Sequence, residues 1–246
     1  MPLTKATQNP VSFLRNVRRF GITNSANSSG GASSSGVGGV SVNCGTTATA
    51  YGKTAFSSAF SSLTQRSGSG IDLVSGVGVC AVGLISIGVS VSGQAFRVIV
   101  GDDSASVVPA VSTSNAISTR GFGFEVFNNA GTRTVRLFAH DGTTYSTSSG
   151  LTSFSFNSLN RFYGFWVKND SLGNVYLYMS ETTANDTGPL PVFTDSPVLT
   201  MTGGPTANTS AKRYVTFQAI TDGVNNPASA NAVLCQFEEV LFTQGI

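Results

Sequence analysis

The sequence predicts an all-β fold, an antiparallel β-sandwich with an extended N-terminal arm. Two successive hairpin patterns, turn residues that recur regularly, and a Phe-rich, charge-poor composition carry that reading. In the first hairpin Phe122, Phe124 and Val126 alternate with Gly121, Gly123, Glu125 and Phe127. Asn128-Asn129-Ala130-Gly131 supplies a turn. Thr132–His140 returns with Val135, Leu137 and Ala139 on one side and Thr134, Arg136 and Phe138 on the other. The second hairpin runs Arg161–Lys168, turns through Asn169–Asn174 and returns along Val175–Met179. Side chains of a strand alternate faces, so each strand can bury one side and wet the other. The Asn, Asp and Gly clusters provide the positive φ angles of tight hairpins.

The chain has 246 residues, room for one large β domain or two small ones. Charged residues make up 11%, against a usual value of about 25%. Ser, Thr, Asn and 28 Gly take their place, while 17 Phe supply a core and argue against disorder. A surface this poor in charge is weakly protected against self-association, which suits a protein covered by its own copies or by partners. A homo-oligomer is therefore expected, with a trimer favoured. The net charge of +2 excludes a general nucleic-acid binder, which carries a basic stripe. Cys44, Cys80 and Cys235 are too widely spaced for a disulfide framework or a zinc site, and read as reduced core thiols from folding in a bacterial cytoplasm.

Met1–Asn9 is polar, and no apolar core of a secretory signal follows it. Phe13, Leu14, Val17 and Phe20 fall at helical spacing beside Arg15, Arg18 and Arg19. Within this arm, residues 1–23, the set Phe13, Leu14, Val17, Arg18, Arg19 and Phe20 is the expected partner-docking surface; the alternative is a frayed terminus. Residues 24–39 are Ser/Gly/Asn-rich, a flexible linker by composition. The sandwich domain is expected over residues 40–246. It opens with a strand at Val40–Cys44, and Thr46–Leu63 reads either as a helix face or as a loop over a sheet edge. Leu73–Val91 is uncharged and long enough to cross a bilayer. Its Gly, Val and Ile content reads instead as two buried strands, so no membrane span is expected. Further strands are expected at Gln94–Val100, around Leu151, Phe154 and Phe156, at Lys212–Ile220 and at Ala232–Phe242. Glu181–Ser210, with four prolines, is a long functional or interface-forming connection.

The strand Arg161-Phe162-Tyr163-Gly164-Phe165-Trp166-Val167, the return Gly173-Asn174-Val175-Tyr176-Leu177-Tyr178 and the final Phe237-Glu238-Glu239-Val240-Leu241-Phe242 resemble the concanavalin A-like lectin and glucanase jelly rolls, laminin-G-like modules included. The resemblance implies a jelly-roll body of a kind that often binds glycans. The sequence departs from the catalytic members, having no Glu-x-Asp-x-Glu set on a strand, and from the metal-dependent lectins, having no cluster of Asp and Asn ligands. The opening Met1-Pro2-Leu3-Thr4-Lys5-Ala6-Thr7-Gln8-Asn9 is similar to the start of tail-fibre and related virion proteins of tailed bacteriophages, as is the Ser/Thr/Gly/Asn-rich body.

No catalytic constellation emerges. His140 is the single histidine and reads as a turn cap, since a triad or metal site requires further groups. Glycosidases pair two carboxylates; Glu125, Asp141, Asp170, Glu238 and Glu239 are candidates that only distance could pair. Asp102-Asp103 reads as a solvated turn, because calcium takes about six to eight oxygens. No metal and no cofactor is expected. Aromatic residues are the better working groups. Tyr145, Tyr176 and Tyr178 are the candidate glycan-binding residues; Tyr176 and Tyr178 share one face of their strand. Trp166 reads as a core residue. The function expected is a non-enzymatic structural component of a phage virion: a tail fibre, adhesin or capsid-decoration subunit that docks on other virion proteins through its arm. The alternative is a carbohydrate-binding module that recognises a host cell-surface glycan.

Overall fold

A computed structural model describes residues 23–25, 32–34, 40–44, 51–56, 77–88, 93–101, 115–129, 131–156, 162–182, 195–206, 214–221 and 233–244. The docking residues Phe13 to Phe20 and the Asp102-Asp103 pair lie outside them. The strands in chain order are β1 (Thr23–Ser25), β2 (Ala32–Ser34), β3 (Val40–Asn43), β4 (Tyr51–Phe56), β5 (Val77–Ile87), β6 (Gln94–Gly101), β7 (Gly121–Asn129), β8 (Thr132–His140), β9 (Tyr145–Thr147), β10 (Tyr163–Asn169), β11 (Val175–Glu181), β12 (Leu199–Met201), β13 (Tyr214–Thr221) and β14 (Val233–Gln244). They form two seven-stranded sheets. The first, sheet A, has the order β1-β4-β13-β6-β7-β8-β9; the second, sheet B, has the order β12-β11-β10-β5-β14-β3-β2. Every pairing is antiparallel. The result is the expected antiparallel sandwich, and no helix occurs among the described residues.

Several elements differ from expectation. The apolar run read as two strands contains a single eleven-residue strand, β5, central in sheet B. Its glycines do not turn the chain. Gly83 stands directly across from Tyr163 on one side and Phe237 on the other, a small residue between two large ones. The Ser/Gly/Asn-rich stretch expected as a linker contributes two short strands: β1 pairs with β4, and β2 with β3. The ambiguous segment after Cys44 supplies a strand, β4. Leu151 makes one isolated bridge to Val135, and the short strand of that connector lies earlier, at β9. In β14 a register shift between Phe237 and Glu239 interrupts strict alternation.

The core lies between the sheets. Phe96, Phe124 and Phe217 from sheet A meet Phe165 and Phe237 from sheet B, with ring centroids 4.9 Å apart for Phe124–Phe165 and 5.6 Å for Phe217–Phe237, while Phe165 and Phe237 meet edge to face within sheet B at 5.4 Å. Each buried Phe contributes roughly 1.5–3 kcal/mol, and edge-to-face pairs add about 0.5–1.5 kcal/mol. Cys44 is buried in this core, whereas buried Cys80 sits on the outer side of sheet B. Phe156 has a left-handed φ of 43°. Its N–H donates to the Tyr163 hydroxyl at 2.9 Å, its carbonyl accepts from Ile87 N–H at 2.9 Å, and its ring stacks on Tyr163 at 4.9 Å. Those contacts offset a backbone cost of about 1–2 kcal/mol.

Sheet A is buried on both sides at its centre; β6 is buried along its whole length. On the outer side, register places Gln218, Arg97, Glu125 and Arg136 in one row across four strands. Glu125 accepts from Arg97 Nε at 2.7 Å through Oε2 and from Arg136 Nε at 2.5 Å through Oε1. The Arg136 guanidinium also lies 4.7 Å from the Phe127 ring centroid. Beside this row Gly123 faces Phe138; a Cβ there would come within 2.0 Å of the Val98 carbonyl oxygen and 2.8 Å of the Phe138 ring.

The second hairpin turn is organised by Asp170. Oδ1 accepts from the N–H groups of Leu172 (2.9 Å) and Asn174 (3.0 Å), and Oδ2 from Asn174 Nδ2 and the Tyr176 hydroxyl (both 2.8 Å). Gly173 completes the turn at a φ of 78°. Burial pushes the Asp170 carboxyl pKa up, but the bonds from Asn174, Tyr176 and the turn N–H groups outweigh it and hold the carboxyl below its usual range.

Two predictions follow from these charges. Glu125→Ala leaves two guanidinium groups facing each other without their shared carboxylate, and urea unfolding should show a loss of about 3–5 kcal/mol. A loss under 1 kcal/mol would show that the row does not hold the sheet. For Asp170, a depressed folded pKa means a stability contribution fully present above the unfolded pKa and lost as pH falls through the lower folded value. The stability difference between wild type and Asp170→Asn should stay constant from about pH 7 to 5 and shrink below about pH 4; thermal melts across that range measure it.

Candidate functional site

Alternation along β10 decides the site. Tyr163, Phe165 and Val167 point into the sandwich, so Gly164, Trp166 and Lys168 occupy the outer side. Trp166 is thus not the core residue expected. It is buried, at 3% exposure, but in a separate patch on the outer face of sheet B with Cys80 and Tyr178. Register sets Trp166 opposite Tyr178 and Lys168 opposite Tyr176. The Trp166 and Tyr178 rings stack with centroids 5.1 Å apart and planes 28° from parallel. Lys168 Nζ lies over all three rings, 4.2 Å from the Trp166 centroid, 5.4 Å from Tyr178 and 5.8 Å from Tyr176.

Trp166 is the covered floor of the patch, and its rim is open to solvent. Tyr176, Tyr178 and Lys168 are half-buried, while Leu172 at the hairpin tip is 78% exposed. Partial burial lowers the Lys168 pKa, offset in part by the charge of Asp170, and raises that of Tyr178. The Tyr176 hydroxyl is also raised, chiefly because it donates to Asp170. Chemically this is a ring surface with polar edges and one cation. Such a surface can take the apolar face of a sugar ring while hydroxyl and ammonium donors meet its oxygens.

Of the three tyrosines expected to bind glycan, the structure brings Tyr176 and Tyr178 together and sets Tyr145 apart. Tyr145 belongs to sheet A, opposite His140, and packs on the outer face of that sheet against Ile99, Ala116, Ile117 and Phe138. Its hydroxyl accepts from Ala116 N–H at 3.0 Å, and burial raises its pKa. The two tyrosine sites lie on opposite outer faces of the sandwich and cannot form one platform. Tyr163, also aromatic and in the same hairpin, is inside.

The remaining candidates have structural roles. His140 Nδ1 accepts from Gly142 N–H at 3.0 Å, which is the turn cap expected. Asp141 Oδ1 accepts from the N–H groups of Thr143 and Thr144, both at 2.7 Å, and those bonds lower its pKa. Glu125 is enclosed by its arginines. Glu181 accepts from Ser155 N–H at 3.1 Å. For Glu238 and Glu239 the described structure gives the strand alone. Among the described residues no group of three His, Cys, Asp or Glu side chains is arranged to hold a metal ion, and no helix is long and apolar enough to cross a membrane.

One residue of the site, Lys168, and one structural contact, Glu125–Arg136, are not evident from the sequence. Lys168 needed only the parity of β10 and the pairing with β11. The Glu125–Arg136 contact needed the register of the first hairpin, since both residues had been placed on the same side of their strands.

No protein-family model and no curated protein matches the sequence. Solved structures do resemble the fold. The Ca2+/Man3GlcNAc-bound exoplasmic/lumenal domain of VIP36 aligns with a TM-score of 0.55 at 9% identity, over 87% of this chain and 83% of that one. Lectin II from Ulex europaeus aligns with a TM-score of 0.53 at 11% identity, over 94% of both chains. The legume lectin-like domain from Entamoeba histolytica gives 0.50 at 10% identity, over 96% of this chain and 92% of that one. At such low identity the likeness concerns the fold: a legume-lectin-like jelly-roll sandwich.

Proposed function

We propose that the chain is a non-enzymatic carbohydrate-binding protein that holds a cell-surface glycan on the outer face of sheet B. The observation that carries this is the half-open surface of Tyr176, Tyr178 and Lys168, backed by the buried Trp166 ring on which Tyr178 stacks. A lectin-like fold in the solved neighbours supports it. Glycan cleavage is not proposed, because Glu125, Asp141, Asp170 and Glu181 are each engaged by internal donors and a hydrolase needs a facing pair of carboxylates.

The sequence also supports a setting for this activity, which we propose as a second reading. The phage-like opening Met1–Asn9 and the charge-poor body favour a virion subunit, a tail fibre, adhesin or capsid-decoration protein. It would be seated on other virion proteins through Phe13 to Phe20 and would be homo-oligomeric. The two readings are compatible, since a fibre subunit that recognises its host through a sugar is both.

A broad array of bacterial surface glycans tests the binding reading. Wild-type protein should be retained by a defined subset. Tyr178→Ala, and Tyr176→Ala to a lesser degree, should weaken retention about tenfold, equivalent to roughly 1.4 kcal/mol, with melting temperatures near wild type. Folded wild-type protein that no glycan retains, or retention unaffected by either substitution, would remove sheet B as a glycan site.

A further inference from the structure

We infer that the glycan is anionic, and that the Lys168 ammonium is the group that selects its carboxylate or sulfate. The inference rests on the sheet B binding reading and specifies its ligand class. Lys168 stands at the centre of the ring surface, over Trp166, Tyr178 and Tyr176. The nearest acid along the chain is Asp170, and its four acceptor positions are filled by Leu172 N–H, Asn174 N–H, Asn174 Nδ2 and the Tyr176 hydroxyl. Lys168 makes no ion pair with Asp170, and its ammonium donates no hydrogen bond among the described residues.

An ammonium has three N–H donors. Ring faces satisfy its charge in part, but they accept no conventional hydrogen bond. Partial desolvation already disfavours the charged form of Lys168. An arriving anion would supply acceptors for these donors, and the contact would strengthen as water is displaced. The Tyr178 hydroxyl, which makes no hydrogen bond within the described residues, stands on the same face, opposite Trp166 in the register. A ring sugar laid on Tyr178 and Tyr176 would thus bring an attached carboxylate to a cation already in position. On the other side of β10, Lys168 faces Gly78 of β5, which carries no competing charge.

The test uses the full chain and immobilised glycans prepared in pairs, each sialic acid- or uronic acid-containing glycan beside its methyl ester, with unrelated neutral glycans included. In about 20 mM salt the wild type should prefer the carboxylate over its ester about tenfold or more, and the preference should fall as salt screens the charge. Lys168→Met keeps an unbranched apolar stem over Trp166 and removes the charge; it should bind acid and ester alike. Lys168→Arg should retain the preference. Equal binding of acid and ester by the wild type, or a preference that survives in Lys168→Met, overturns the inference while leaving glycan binding intact. Retention by none of the glycans, charged or neutral, overturns the binding reading itself.

Discussion

Period-two alternation along β10 assigns every aromatic residue of that strand to one of two jobs. Phe165 is locked inward by Phe124 and Phe237, so Trp166 must lie outside. Pairing with β5 and β11 then fixes what surrounds each position: Cys80 on one side of Trp166 and Tyr178 on the other. A slip of one residue would exchange the two sets, putting Trp166 and Lys168 into the core and two core residues into water. The apolar core therefore acts as the template of the outer surface. It holds the rings of the platform in place without taking part in it, and the Asp170 turn fixes the far end of the same hairpin.

The opposite sheet uses its outer face differently. There the row through Gln218, Arg97, Glu125 and Arg136 is withdrawn from solvent. A carboxylate bonded to two guanidinium groups in a largely buried row is expensive to desolvate and is retained only with good geometry. The two-sided bonding of Glu125 meets that requirement. Such a row also opposes register slips in sheet A, since displacing any one strand separates the charges. The two outer faces are thus divided: a closed ionic face on sheet A, and a half-open aromatic face on sheet B.

Much of this was legible in the residues. The hairpins at 121–140 and 163–181, the inward sets Phe122/Phe124/Val126 and Val135/Leu137/Ala139, and the shared face of Tyr176 and Tyr178 follow from alternation and turn chemistry alone. Trp166 was misplaced because average burial was given more weight than parity, although Phe165 and Val167 on either side already determined its direction. β5 was divided in two because glycine usually punctuates a strand, whereas Gly83 serves to make room between Tyr163 and Phe237. The separation of Tyr145 from the other tyrosines was not legible, because it depends on the order of strands in two different sheets. That Glu125 is enclosed between Arg97 and Arg136 likewise depends on the register of three strands.

The central claim is that a glycan binds at the ring surface built on Trp166. The chain contains one tryptophan, so its intrinsic emission reports on that surface alone. Titrating the full-length protein with a glycan retained in the binding assays should give a saturable change in tryptophan emission. The midpoint should match the affinity measured independently, and it should move about tenfold higher in Tyr178→Ala. Saturable binding with tryptophan emission unchanged throughout would place the glycan elsewhere on the sandwich and contradict the account.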